Sequence, residues 1–349
     1  MKMGVKFIII IISILFVVVG TFILFLHFKD YHPPSSEIIM NDDSPAMLSD
    51  SSEINLLTWN IGYAGLGKNM DFFYEGGKKV RDKKTAIINN LSEITYFLKN
   101  DTLDFILLQE VDEYSKRSHF IDETNLLKSE FNEYQAFYAK NYDIPFIPFP
   151  FHSPMGQVKS GLLFFSRYAP KIVERISFNG NYYWPKNLFM PDRCFLTARY
   201  PLKQGNELII INTHNSAYDN GNLKQMQIKQ LKDFMLNEYQ QGHYIIAGGD
   251  WNQWPPALLQ PSFNVNKKIP PLPETTMPEG WKWIYDSNIP SNRDLAVPYD
   301  SLQSSFATID FFIVSPNVSF LSVETIDLKF ENSDHQPVKI RCRLSTKDK

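Results

Sequence analysis

Cysteine is almost absent: 349 residues carry only Cys194 and Cys342. That excludes a disulfide-dense scaffold and any cysteine-rich zinc site, and both thiols read as small buried hydrophobes in strands. A dominant charge is missing as well, since 38 acidic side chains against 35 basic ones leave a net charge of −3. A polybasic nucleic-acid module is therefore not the first expectation. No internal repeat is present, and no low-complexity tract beyond one polar stretch near the N-terminus. What is abundant is apolar and aromatic content, 44% hydrophobic with 14% aromatic against 21% charged. Such a chain buries a large core and is not intrinsically disordered.

Phe7 to Phe28 is apolar apart from Ser13, Gly20, Thr21 and His27. At ~1.5 Å per residue it is long enough for a hydrocarbon core of ~30 Å. Lys2 and Lys6 precede it, whereas Asp30, Glu37, Asp42, Asp43, Asp50 and Glu53 follow. The lysine bias keeps the N-terminus cytoplasmic and puts the bulk of the chain outside. Residues 1–29 are thus expected as a signal anchor or transmembrane helix, the alternative being a signal peptide cleaved from a secreted protein. Residues 30–53, rich in Ser, Asp, Asn and Pro, read as a flexible tether, and 54–345 as the folded domain.

Short apolar runs predict strands over Ile54–Asn60, Phe105–Glu110, Gly161–Ser166, Phe195–Tyr200, Leu208–Thr213, Tyr244–Gly248, Thr308–Ser315 and Val338–Arg343. Helical spacing predicts helices over Lys79–Lys99, Glu123–Glu130 and Leu223–Tyr239. Strands outnumber helices, and several connections are too short for a helical crossover. The expected class is α+β, two packed mixed sheets with helices outside, rather than a doubly wound sheet. Asn264–Asn292, poor in periodicity and rich in Pro and Trp, is expected as a long surface loop near the site.

Polar residues recur at the strand ends: Asn60, Glu110, the Asn212-Thr213-His214 run, Asp250 with Asn252, Asp310, and Asp334 with His335. Each alone has an ordinary explanation as a turn, cap or satisfied histidine. Together they predict one shared mouth, because polar groups buried at strand ends cost free energy unless they are paired or bind a metal.

The motifs TWN (58–60), LLQEVD (107–112), SGLLFFSRY (160–168), INTHNS (211–216), GGDWN (248–252), TIDFFIVS (308–315) and SDHQPV (333–338) resemble those of the endonuclease/exonuclease/phosphatase family. That family includes deoxyribonuclease I, apurinic endonucleases, neutral sphingomyelinases and inositol polyphosphate 5-phosphatases. The resemblance spans Ile54 to Leu344 and implies a four-layered, deoxyribonuclease I-like α/β sandwich. It implies that Glu110, assisted by Asn60 and Asp334, binds Mg²⁺ or Mn²⁺, hard cations suited to oxygen donors. It further implies His335 as general base or electrostatic partner oriented by Asp310, and Asp250 as orienting or deprotonating the attacking water. Asn252 and His214 would donate to phosphate oxygens. Arg193 would contact the phosphate, its alternative being an exposed strand-end arginine. His214 in the THNS run looks more like the deoxyribonuclease I and sphingomyelinase branches than the apurinic one.

The reaction so implied is water attacking a phosphate ester; the substrate is less legible. Low basic charge and the N-terminal helix lean from nucleic acid toward a phospholipid head group, with an extracellular nuclease as the alternative. The aromatic, proline-rich Tyr142–His152 segment has no helical or strand period, and reads as a loop that either touches lipid, lines a pocket or folds back on the core. Trp251, Trp254, Trp281 and Trp283 admit the same readings. A catalytically inactive binding module is a third possibility, opposed by the intact set Glu110, Asp250, Asn252, Asp310 and His335. No obligate protein partner is evident.

Overall fold

The computed structural model describes residues 2–45, 47–48, 53–219, 222–256, 263–266 and 268–344. Ser345, the last residue assigned above to the domain, lies outside them, as do Ala46 and residues 49–52 of the expected tether. Two sheets face one another. One has seven strands in the order β1 (Ser36–Asn41), β6 (Ile172–Ser177), β7 (Cys194–Pro201), β8 (Glu207–His214), β9 (Tyr244–Asp250), β13 (Asp310–Val314) and β10 (Lys282–Ile284). The other runs β14 (Val318–Thr325), β15 (Val338–Leu344), β2 (Glu53–Asn60), β3 (Phe105–Asp112), β5 (Gly156–Ser166) and β4 (Gln135–Ile147). A small hairpin of β11 (Asn292–Arg293) and β12 (Phe306–Ala307) stands apart. The helices are α1 (Lys2–Lys29), α2 (Lys84–Lys99), α3 (Glu123–Glu130) and α4 (Asn222–Gln240).

Strand alternation sorts the core into layers. Leu56, Phe105, Leu107 and Phe164 meet Leu196, Ile210, Ile246 and Phe312 between the sheets. Their neighbours Leu57, Trp59, Ile106 and Leu108 point outward onto Ile87, Leu91, Ile94 and Leu98 of α2. On the opposite side Ile209, Ile211, Ile245 and Phe311 receive Ile228, Leu231 and Met235 of α4. Side chains at i and i+1 of one strand thus serve two different cores, which is why these strands read as continuous apolar runs. The result is the expected mixed α+β sandwich of two packed sheets flanked by helices. Cys194 and Cys342 are free and buried in the inter-sheet core.

Several details differ from the sequence reading. Helix α2 starts at Lys84 rather than Lys79, because Val80 packs with Ile144 and Ile147 and Arg81 reaches the Met155 and Pro154 carbonyls, so this stretch is a docked turn. Half of the Tyr142–His152 segment is strand: β4 continues to Ile147, and register shifts at Lys140/Tyr142 and Ile144/Ile147 erase the period-two pattern. Within the expected tether, Ser36–Asn41 forms β1 and pairs antiparallel with β6 along the sheet edge. Helix α1 meets the body of the protein at its last turns, where Leu26 is 1% exposed and the Phe22 and Phe146 ring centroids lie 6.1 Å apart, edge to face.

The topology gathers the polar residues at one end. β2 and β3 are parallel, as are β8 and β9, so Asn60, Glu110, His214 and Asp250 all lie at carboxyl ends. Asp310 and His335 do not end strands as expected; Asp310 opens β13 and His335 precedes β15. Because β13 is antiparallel to β9 and β15 to β2, the starts of these two strands lie at that same edge, with Asp310 opposite Asp250.

Candidate active site

Each side chain is aimed by a local backbone device. Glu110 sits at a bulge where the β3–β5 register shifts between Leu108 and Val111, with φ of 52°. A non-glycine residue in the left-handed region carries strain, which the surrounding sheet overcomes, and it turns this carboxylate toward the inter-sheet mouth. Asp250 follows Gly249, whose φ is +152° and where an added Cβ would lie 2.0 Å from the Thr213 carbonyl oxygen. Only glycine lets β9 approach β8 that closely. Trp251 is buried beneath the turn, its Nε1 donating to the Phe311 carbonyl at 2.9 Å.

Asp250 is the hub. Its Oδ2 accepts from Asn60 Nδ2 at 3.0 Å and lies 3.3 Å from His214 Nε2 and 3.8 Å from His335 Nε2. Its Oδ1 accepts from the Asn252 backbone N–H at 2.9 Å. Asn60 Nδ2 also lies 3.5 Å from Glu110 Oε1, while its Oδ1 accepts from the Gly62 N–H. His335 Nδ1 pairs with Asp310 Oδ2 at 2.7 Å, and Asp310 Oδ1 is buried without a partner. The other ring nitrogen, Nε2, lies 3.0 Å from Asn292 Nδ2. With Nδ1–H donating to Asp310, Nε2 accepts from that amide; protonating Nε2 requires Asn292 to turn its oxygen to the ring.

The electrostatics are those of a buried acidic cluster. Burial raises Asp250 to about 6, against the pull of His335, and raises Asp334 to about 7. Burial alone would lower His335, yet Asp310, Asp334 and Asp250 together lift it well above the ordinary imidazole value. His214 goes the other way, held neutral by burial and by the positive field of Arg193. Burial also lowers Arg193, whose Nε has no hydrogen-bond partner.

The expected residues therefore converge, and two of those expected on the phosphate already have partners. The Asn252 amide already donates to the Asn215 carbonyl at 3.0 Å, and His214 faces Asp250, so neither stands wholly free for a phosphate oxygen. Arg193 lines the cavity rather than lying exposed. Two residues were not singled out in the sequence. Asn292, in a turn-rich segment without period, left no signal. Arg117 follows the LLQEVD run by five positions and could have been noticed as a lone base beside it. It forks onto Asp112 at 2.8 and 3.0 Å, lies 3.5 Å from Glu110 and stacks on the Tyr63 ring at 3.8 Å. None of Trp251, Trp254, Trp281 and Trp283 lines the cavity; all but half-buried Trp283 are buried.

The cavity at this mouth has a volume of about 700 Å³. Glu110, Asp250, Asn252, Asn292, Asp334 and His335 line it together with the apolar Leu66, Phe72, Ile147, Phe149, Met155 and Phe189. Asp250, Asp310 and His335 present donor atoms within 4.8 Å of one another, a grouping able to hold a metal ion. That differs from the expected set of Asn60, Glu110 and Asp334, and two of its members are already joined by the 2.7 Å bond. The chemistry of the region fits a hard divalent cation: buried carboxylates raised by desolvation, oxygen donors, no thiolate.

Among solved structures, an endonuclease/exonuclease/phosphatase from Beutenbergia cavernae DSM 12333 aligns over 84% of this chain and 72% of its own, with 15% identity and a TM-score of 0.58. One from Bacteroides vulgatus aligns over 84% and 100%, at 16% identity and a TM-score of 0.53. ANGEL2, a 2′,3′-cyclic phosphatase, aligns over 91% and 100%, at 14% and 0.53. At these identities the likeness is one of fold, and it singles out neither the deoxyribonuclease nor the sphingomyelinase branch. No curated protein matches the chain. The sequence model of the Endonuclease/Exonuclease/phosphatase family matches residues 57–335, from within β2 to His335, which takes in every residue of the cluster. The chain belongs to the endonuclease/exonuclease/phosphatase family, with that family's potential for phosphoester hydrolysis.

Proposed function

We propose that the protein is a Mg²⁺- or Mn²⁺-dependent phosphodiesterase, tethered to a membrane and acting outside the cytoplasm on a phospholipid head group. The observation that carries the reading is the mixed lining of the cavity, in which Glu110, Asp250, Asp334 and His335 stand together with Leu66, Phe72, Ile147, Phe149, Met155 and Phe189. The lining also carries Arg117, Lys186, Arg193, Lys224 and Lys268, which suit any phosphate ester, so the apolar share of the cavity is what favours a lipid over a nucleic acid. Helix α1 supports the tether. Its Gly4–Lys29 stretch is long and apolar enough to cross a membrane, and nearly all of its large side chains are exposed.

In this reading Glu110, with Asn60 and Asp334, holds the ion, and Arg117 fixes the Glu110 carboxylate from behind. The bound ion would supply Lewis-acid polarisation of a phosphoryl oxygen and stabilise the leaving oxyanion. Asp310 holds His335 with Nε2 beside Asn292 and 3.8 Å from Asp250, which supports an attacking water held by the imidazole and the carboxylate. Arg193, without an anionic partner, draws the phosphate toward the polar cluster. Neutral His214 keeps the Asp250 carboxylate oriented without adding charge.

The test is to give the purified full chain, in detergent with Mg²⁺, supercoiled plasmid and phospholipid vesicles in parallel, with Glu110→Ala as the blank. Head-group release that EDTA abolishes and Mg²⁺ or Mn²⁺ restores is the expected result. Plasmid nicking alone would make the protein a nuclease. A reporter fused after Lys349 should lie outside the cytoplasm, and a cytoplasmic reporter would overturn the orientation.

A further inference from the structure

The cavity contains a second charged group that catalysis does not use. Glu75 closes the short helical turn Phe73–Glu75 and lines the same cavity as the polar cluster. Its carboxylate accepts from the Tyr218 hydroxyl at 3.0 Å and from the Leu295 backbone N–H at 2.9 Å. Both donors are neutral, so the negative charge stays uncompensated. Among the described residues no Lys, Arg or His forms an ion pair with it. Arg293, whose field reaches Glu75, spends its N–H groups on the carbonyls of Leu66, Gly67, Met70, Asp294 and Val297. Burial accordingly raises the Glu75 carboxyl above its ordinary value.

Tyr74, Tyr182 and Tyr218 line the cavity with it. The Tyr74 and Tyr218 ring centroids are 5.1 Å apart at 59°, and Tyr182, on the same cavity, donates its hydroxyl to the Tyr218 carbonyl at 2.6 Å. Aromatic rings beside a carboxylate form the chemistry that receives an alkylammonium ion, through cation–π and Coulomb attraction together, and the Tyr182 ring already carries a cation, Lys186 Nζ at 4.3 Å from its centroid. Elsewhere on the cavity wall Arg193 is a buried guanidinium with no anionic partner among the described residues. Lys186, Lys224, Lys268 and Asp294 line the cavity as well, so it holds charges of both signs that form no ion pair among the described residues. Charge complementarity calls for a ligand with a phosphate at one end and an ammonium at the other.

We propose that Glu75, with Tyr74 and Tyr218, forms a subsite for the alkylammonium end of a zwitterionic phosphodiester substrate. The proposal rests on the phosphodiesterase reading above and specifies which ester that cavity takes. If Glu75 were only a strap tying its turn to Leu295 and Tyr218, its removal would affect every substrate alike.

The experiment compares p-nitrophenylphosphorylcholine with bis(p-nitrophenyl) phosphate, which lacks the ammonium, using the full chain with Mg²⁺. The quantity read is the ratio of kcat/KM for the two esters. Glu75→Gln keeps the side chain's size and an acceptor but removes the charge, and should lower the ratio by about 10- to 100-fold, mainly through KM. Tyr74→Ala, at an exposed position, should lower it by about 3- to 10-fold and guards against a folding defect in the first variant. An unchanged ratio in both variants, or equal loss on both esters, overturns the subsite while leaving phosphodiesterase activity in place. A wild-type protein that cleaves neither ester overturns the phosphodiesterase reading, and the subsite falls with it.

Discussion

Arg117→Met should be among the costliest single changes in this domain, and its cost can be worked from the contacts. The guanidinium donates to Asp112 through Nε at 3.0 Å and Nη2 at 2.8 Å, and to Ser160 Oγ at 3.2 Å, with its face 3.8 Å from the Tyr63 ring. Burial alone would lower its pKa, yet Asp112 and Glu110 hold it above the ordinary value, so it stays charged. Methionine fills similar volume but leaves fully buried Asp112 with only the Ser118 hydroxyl at 2.9 Å as a side-chain donor. Breaking a buried ion pair from one side costs about 3–5 kcal/mol. At roughly 2 °C per kcal/mol for a domain of this size, Tm should fall by about 6–10 °C in scanning calorimetry. The double variant Asp112→Asn, Arg117→Met removes the stranded charge and should recover at least half of that loss. A single variant melting within about 2 °C of wild type would refute the reasoning. So would a double variant no better than the single.

Three further outcomes follow from the geometry. Asp310→Asn removes the carboxylate that holds His335 and should lower kcat by about 10²- to 10⁴-fold with little change in Tm; a variant within threefold of wild type, at roughly the scale of assay error, would sink the assigned role. Asp192 is raised from 3.8 to about 6, chiefly by burial, so the native state favours its protonated form. The sign is that stability is greatest below about pH 4 and falls as pH rises through about 6; Asp192→Asn should remove that fall, gaining at most about 3 kcal/mol at neutral pH in urea melts. Equal stabilities of variant and wild type at pH 4 and pH 7 would count against it. Gly249→Ala puts a Cβ 2.0 Å from the Thr213 carbonyl oxygen and should cost more than about 4 kcal/mol, read as loss of soluble protein; a soluble, fully active variant would show that β8 and β9 can separate.

Much of this arrangement was legible in the chain because its strands are buried on both faces. Continuous apolar runs marked β2, β3, β8 and β9, and the polar residues that break them are those of the site. What stayed hidden had physical reasons. The pairing of β1 with β6 depends on an edge that only the folded sheet presents, and the short Ile38-Ile39-Met40 run lies within a polar stretch that as a whole reads as solvated chain. β4 lost its alternation to two register shifts. Glu75 sits in a short turn with no periodic signal, and its meaning comes from Tyr218, 143 positions away. The positions of Asp310 and His335 were found, but their place at strand beginnings depends on sheet direction, which periodicity does not encode.

The edge pairing of β1 also governs how a soluble form of the protein should be cut. Removing everything before residue 53 would strip β1 and leave the backbone N–H and C=O groups of β6 unpaired along Ile172–Ser177, an open template for another chain. The Ser177 N–H, bonded to the Ser35 carbonyl, and the Ser177 hydroxyl, bonded to the Pro34 carbonyl, would lose their partners too. A protein begun just after α1 keeps that border closed. One begun at the first residue of the matched family region would be expected to self-associate, and its behaviour in solution would misrepresent a protein whose sheet is finished by the segment that joins it to its helix.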